Sequence, residues 1–296
     1  MSSFSSEQRK GVIFALSAYL IWGLLALYLK QIKAASPFEI LIHRVLWGTP
    51  ICLILLWHQK KMKETLTVFF SAKIKWLALS SFLIATNWLI YIWAINNSHM
   101  LQVSLGYYIN PLLNVLLAVI FLKERMQNLQ KIALLFALLG VSIFAVKLSV
   151  LPLIALSLAI SFGLYGLIRK MAPVDSLIGL SIEVFLLLPF CLAGLFWFLH
   201  TGELKFGHDL KLSLLLPLSG PLAVFSLLLF VAGARRIRYS TMGVLQYISP
   251  TCNFLLAVFL YGEIFTITHA VTFSLIWIGV ILYLTSMRRL RITQTT

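Results

Sequence analysis

Two charges interrupt long apolar runs: Arg44, seven positions into the run near 38–57, and Glu183, seven positions into the run near 177–199. Placed inside a bilayer, each costs about 2.5–3.5 kcal/mol to insert, so each must face a cavity or a partner. The guanidinium of Arg44 suits an anionic substrate group, and the carboxylate of Glu183 suits a cation or a coupling proton. The structural alternative is an ion pair, with each other or with Glu39 or His43. A second set is the doubled motif Tyr-x-x-Pro-x-x-Asn, present as Tyr108, Pro111, Asn114 and again as Tyr247, Pro250, Asn253. Each proline removes a backbone hydrogen bond and predicts a helix kink that frees a carbonyl. Tyr108 and Asn114, with Asn110, Gln246, Tyr247 and Asn253, are then candidates to line a cavity, and the alternative is polar glue between helices. Trp22, Trp88 and Tyr91 would add flat apolar walls. Nothing here resembles a catalytic or metal site. The six histidines are dispersed without HExxH spacing, and Cys52, Cys191 and Cys252 lie in apolar stretches without CxxC spacing. No cofactor is expected, and in the absence of a nucleotide-binding loop any transport would run on gradients.

The elements that must carry these residues follow from composition. Of 296 residues, 60% are hydrophobic and 11% are charged, with a mean hydropathy of +0.96. Soluble domains run near 45–50% apolar and about 25% charged, so the solvent of this chain is lipid. Uncharged runs predict ten transmembrane helices near 14–29, 38–57, 76–96, 101–122, 129–147, 149–168, 177–199, 212–234, 240–261 and 268–287. The first is too long for a signal-peptide core and is expected to be retained. Trp76, Tyr239, Tyr261 and Tyr283 fit an interfacial aromatic belt. The net charge of +15 reflects loop placement. Of 24 Lys and Arg, 18 fall in the termini and in the loops after the second, fourth, sixth and eighth helices, Arg169 among them, and 5 fall in the opposite loops. That split predicts cytoplasmic N- and C-termini and needs no nucleic-acid partner.

The chain also matches itself at an offset of 139. Tyr108-Ile109-Asn110-Pro111 aligns with Tyr247-Ile248-Ser249-Pro250, Asn114 with Asn253, Glu124 with Glu263 and Arg44 with Glu183; near the N-terminus the offset slips to 140, placing Gly23-Leu24 over Gly163-Leu164. Tyr, Pro, Asn and Glu recurring in register argue for duplication rather than chance in a leucine-rich chain. The expected organisation is a five-helix unit over 1–147 and a second over 148–296. Five is odd, so the second unit enters the membrane from the other side. Inverted repeats are the architecture of many secondary transporters, with a substrate site where the halves meet. The expectation is therefore alternating access to a small-molecule substrate. A passive channel, a structural membrane protein and a lipid-modifying enzyme are the competing readings. Oligomeric state is not legible.

With these residues in place, the chain resembles the drug/metabolite transporter superfamily, in its EamA-type family and the RarD subgroup. The resemblance rests on Ala18-Tyr19-Leu20-Ile21-Trp22-Gly23, His43-Arg44-Val45-Leu46-Trp47, Asn87-Trp88-Leu89-Ile90-Tyr91-Ile92-Trp93-Ala94, Gly106-Tyr107-Tyr108-Ile109-Asn110-Pro111 and Leu245-Gln246-Tyr247-Ile248-Ser249-Pro250. It extends over essentially the whole chain. It implies an all-α, ten-helix protein of two inverted repeats in the bacterial inner membrane, moving metabolites, amino acids or drugs, often outward.

Overall fold

The computed structural model describes residues 6–97, 99–147, 153–260 and 267–293. Its elements are α1 (Ser6–Gln31), α2 (Pro37–His58), α3 (Met62–Phe69), α4 (Ile74–Asn96), α5 (Met100–Phe121), α6 (Asn128–Lys147), α7 (Leu153–Met171), α8 (Ser176–Thr201), α9 (Leu210–Leu215), α10 (Ser219–Arg236), α11 (Tyr239–Leu245), α12 (Ile248–Leu255) and α13 (Ile267–Thr293). Among the described residues there is no strand. Among the described residues seven helical stretches are long and apolar enough to cross a bilayer, and Leu105–Phe121 and Ala270–Ser286 form shorter apolar helices. Side chains such as Ile54, Phe190, Phe196 and Trp197 point outward and exposed. In water that arrangement would be costly, whereas in hydrocarbon it costs nothing. This is an integral membrane protein.

Local chemistry explains where the helices begin. Ser36 caps α2, its Oγ accepting from Glu39 N at 3.1 Å, and Pro37 opens the first turn without needing a donor. Asp175 caps α8 by accepting from the N–H groups of Leu177 and Ile178. Ser36 and Asp175 are 139 residues apart.

The observed elements differ from the expected spans at three places. First, the expected helix over 240–261 is broken at Gln246–Tyr247, between α11 and α12. Pro250 has no N–H to return to the Gln246 carbonyl, and Ser249 N takes that carbonyl instead at 3.0 Å, a tighter turn of 3₁₀ type. A π-helical turn over Leu256–Leu260 follows. By contrast, α5 runs through Pro111 without a break. Second, the helix expected over 212–234 starts as α9 and passes through a 3₁₀ turn at Leu216–Leu218, which holds Pro217, before α10. Third, α3 occupies what the sequence presents as a loop; its Thr65 and Val68, three apart, bury one face against the bundle.

Long-range packing joins the first half of the chain to the second. α1 packs on α10 and α4 on α7; α2 packs on α8, α5 on α7 and α11, and α6 on α13. At the α2–α10 crossing a methyl group on Gly220 would collide with the Trp47–Gly48 backbone, so this close approach requires glycine.

Candidate functional site

A cavity lies between α1, α2, α4, α5, α7, α10 and the α11–α12 break. It is lined by Trp22, Leu25, Tyr28, Arg44, Asn87, Trp88, Tyr91, Gly106, Tyr107, Asn110, Leu158, Phe162, Ser219, Leu222, Ala223, Ser226, Leu227, Gln246 and Ser249. The cavity has a volume of about 70 Å³, room for several waters. The space free of protein atoms, open mouth included, is about 860 Å³. The lining uses the second halves of α1 and α4 and the first halves of α2, α5 and α10. The cavity therefore sits toward the end of the bundle where α1 finishes and α2 begins.

Six of the residues singled out in the sequence meet here: Trp22, Arg44, Trp88, Tyr91, Asn110 and Gln246. The Arg44 guanidinium carbon lies 4.8 Å from the centre of the Trp88 ring, a cation–π geometry. Arg44 is buried, and among the described residues its Nε has no hydrogen-bond partner and none of the ion pairs includes it. The Oδ1 of buried Asn110 also has no partner among the described residues. Trp22 and Phe162 meet edge to face at 5.3 Å and form the apolar wall.

Four others lie off the cavity. Glu183 pairs with neither Arg44 nor His43. Its Oε1 is 3.3 Å from Nε of Arg169, with both side chains buried, and it accepts a hydrogen bond from Ser80 Oγ. Tyr165 OH lies 3.5 Å from Oε2. Arg169, counted in the sequence among loop cations, is fully buried and donates to the Ser176 carbonyl at 3.1 Å. Gly179 leaves the room its guanidinium fills. Asn114 is held between Gln246 Oε1, to which it donates at 2.7 Å, and Tyr239 OH, from which it accepts at 3.0 Å. Tyr108 packs on Phe144 and Phe273, and Tyr247 donates to the Tyr108 carbonyl at 3.4 Å. The side chain of Asn253 lies outside the described residues, as do Tyr261 and Glu263.

The separation of Tyr108 from Asn114 has a geometric cause. Six residues turn an α-helix by about 600°, which leaves the two side chains on different faces. Tyr107, Asn110 and Asn114, at i, i+3 and i+7, share one face, and the first two reach the cavity. Sequence reasoning missed Tyr28, Asn87, Tyr107, Ser219 and Ser226. The internal register carries the signal: at offset 139, Asn87 falls on Ser226, Trp88 on Leu227, Tyr107 on Gln246 and Asn110 on Ser249, and at 140 Trp22 falls on Phe162. Every member of these five pairs lines the cavity.

The other end of the bundle is closed by polar contacts. Glu124 accepts from Tyr239 N at 2.8 Å and from Ser240 Oγ at 2.5 Å, supplying acceptors at the start of α11, and pairs with Arg238 at 3.3 Å. Lys170 donates to the Ala234 and Ile237 carbonyls at 2.6 Å each, at the end of α10. Tyr239 and Tyr283, expected in an aromatic belt, are buried instead because their hydroxyls have protein partners: Tyr239 donates to the Gly163 carbonyl at 2.8 Å, and Tyr283 to Ser240 Oγ at 2.9 Å. Trp76 is exposed. Among the described residues no cluster of His, Cys, Asp or Glu is arranged to hold a metal.

Residues 9–146 match the EamA-like transporter family. The chain is 41% identical to an uncharacterized transporter of Vibrio cholerae, over 96% of this chain and 94% of that protein. It is 42% identical to Protein RarD of Escherichia coli, over 94% of this chain and 95% of that protein. A crystal structure of a protein 19% identical superimposes with a TM-score of 0.72, covering 95% of this chain and 99% of the other, which is a likeness of fold.

Proposed function

This chain belongs to the EamA-like transporter family and to its RarD group, and from that premise we propose that it is a secondary active transporter. It carries small amphipathic metabolites or drugs across the bacterial inner membrane by alternating access, in the outward direction. The carrying observation is the composition of the cavity wall: five pairs related by the internal register line one space. Two inverted halves of 1–147 and 148–296, within a ten-helix architecture, would produce this, because residues near their shared axis meet their own counterparts. The pairings of α1 with α10 and of α4 with α7 exchange with each other under the same register, which supports the same reading. With cytoplasmic termini, as the Lys and Arg split argues, the cavity opens to the outside and the contacts of Glu124, Lys170 and Tyr239 close the cytoplasmic end.

Within that reading, Trp22, Arg44, Trp88, Tyr91, Asn110 and Gln246 contact substrate. Tyr247 belongs to the helices that move, while Tyr108 and Asn114 on α5 and Glu183 on α8 belong to the framework they move against. The break beside Pro250 lets α11 and α12 reorient while the through-running Pro111 helix acts as the fixed partner. A proton or another ion gradient supplies the work.

The test is counterflow in proteoliposomes preloaded with a candidate substrate, over a panel of amino acids, aromatic acids and amphipathic drugs. Saturable, competable exchange supports a carrier. Unsaturable conductance would make it a pore, and no flux for any compound would count against transport.

A further inference from the structure

We infer that the cavity selects small organic anions, with Arg44 receiving a carboxylate and Trp88, Trp22 and Phe162 receiving a flat apolar body. The inference deepens the transport reading above and rests on it for its biological meaning, but it concerns binding and can be tested without flux.

Charge carries the argument. Among the described residues the lining contains one arginine and no Asp, Glu or Lys. Glu183, the carboxylate that the register places opposite Arg44, is taken up by Arg169, Ser80 and Tyr165 in the bundle interior, off the cavity. Glu39 does not line the cavity; its Oε1 accepts from the backbone N–H groups of Lys205 and Phe206 at 2.9 and 2.8 Å, and its Oε2 has no hydrogen-bond partner among the described residues. A buried guanidinium is held only where something compensates it, and compensation by removal of its proton is not open to arginine. Here the protein offers a π face on Trp88 and the hydroxyl-bearing rings nearby, and leaves Nε without an acceptor. The cavity has room for water to satisfy such a group when the site is empty. An incoming carboxylate replaces that water with a charge-assisted pair, which is stronger than a neutral contact.

The rest of the wall fixes what the anion is attached to. Trp22, Phe162 and Trp88 are ring surfaces, so the body is flat and apolar. The unpartnered Asn110 Oδ1 is an acceptor, which favours ligands carrying one N–H or O–H beside the ring or the acid. Inorganic anions lack the apolar body, and cations meet Arg44 with repulsion.

Binding to the purified full-length protein in nanodiscs tests this, read by tryptophan fluorescence and thermal shift, with 3-phenylpropionate, 3-phenylpropanamide and 3-phenylpropylamine as probes of one shape and three charges. The carboxylate should bind saturably and about tenfold or more tighter than the amide, with the amine weakest. Arg44→Gln should bring carboxylate and amide to equal affinity, Arg44→Lys should retain part of the preference, and Trp88→Ala should weaken all ligands while keeping their order. The native protein's own preference among the three probes stands as evidence if an Arg44 variant fails to fold. Equal binding of amide and carboxylate, tighter binding of the amine, or no saturable binding of the carboxylate overturns the inference. Carboxylate binding without flux in proteoliposomes would leave it standing and sink the transport reading. Flux of neutral or cationic compounds with no preference for acids would do the reverse.

Discussion

Removing Glu183 should cost the protein its fold margin rather than its ligand. The carboxylate and the Arg169 guanidinium are both buried, 3.3 Å apart. Arg169 also donates to the Ser176 carbonyl, and its Nη1 has no hydrogen-bond partner among the described residues. Glu183→Met therefore leaves a permanently charged group in an apolar interior, a change that costs about 3–5 kcal/mol. Arg169→Met strands the carboxylate with Ser80 and Tyr165 and should also destabilise. The double variant removes both charges and replaces them with apolar side chains of similar length, a change that is often neutral or stabilising. Its stability should return to within about 1 kcal/mol of the native protein, giving a coupling energy of several kcal/mol in the double-mutant cycle. Thermal unfolding in nanodiscs, with recovery after size exclusion as a check, measures all four proteins. A Glu183→Met protein as stable as the native one, or a double variant whose loss equals the sum of the singles, would refute the structural role of this pair.

Further outcomes follow from contacts at the closed end and at a helix start. Tyr239→Phe leaves the Asn114 Oδ1 and the Gly163 carbonyl without their shared donor and should destabilise by about 1–3 kcal/mol in the same assay. Asp175→Ala removes the α8 cap at a cost of about 1 kcal/mol. Burial pulls the Asp175 carboxyl upward, but the hydrogen bond and charge of Lys61 and the N–H groups of Ile178 and Leu177 outweigh it and hold the group below its ordinary value. A depressed folded-state value means that this contribution is complete above about pH 4 and fades as pH falls through the folded value. The stability difference between native and Asp175→Ala proteins should accordingly shrink below pH 4; a difference that grows on acidification would contradict the assignment.

Much of the fold was legible because lipid enforces a simple rule: apolar runs of about 20 residues become helices. The break at Gln246–Tyr247 was half-legible, since Pro250 announces a lost hydrogen bond but Pro111, in the same motif, leaves its helix continuous. What differs is tertiary packing, which no local spacing encodes. Arg44, Asn110 and Gln246 were readable as cavity residues because a polar group in an apolar run needs a reason. That logic does not say which reason: it placed Glu183 and Asn114 in the cavity, where the structure gives them protein partners. Arg169 was hidden by its position at a helix end, where counting charges treats it as a loop cation. Ser219 and Ser226 were hidden by ordinariness, since a serine in a membrane helix can return its hydroxyl to its own backbone, as Ser226 does to Leu222 at 2.7 Å. Only the internal register, which sets Ser226 over Asn87, marks that position.

The central claim is that two like halves open one shared cavity to either side in turn. Leu222 lines the cavity in the described state, and its register counterpart Leu83 does not. In a background with Cys52, Cys191 and Cys252 replaced, single Leu222→Cys and Leu83→Cys proteins should be labelled by a membrane-impermeant maleimide from opposite sides of the membrane. Transported substrate should shift the two labelling rates in opposite directions. Labelling of both positions from the same side, or Leu83→Cys inert from either side while transport continues, would contradict the account.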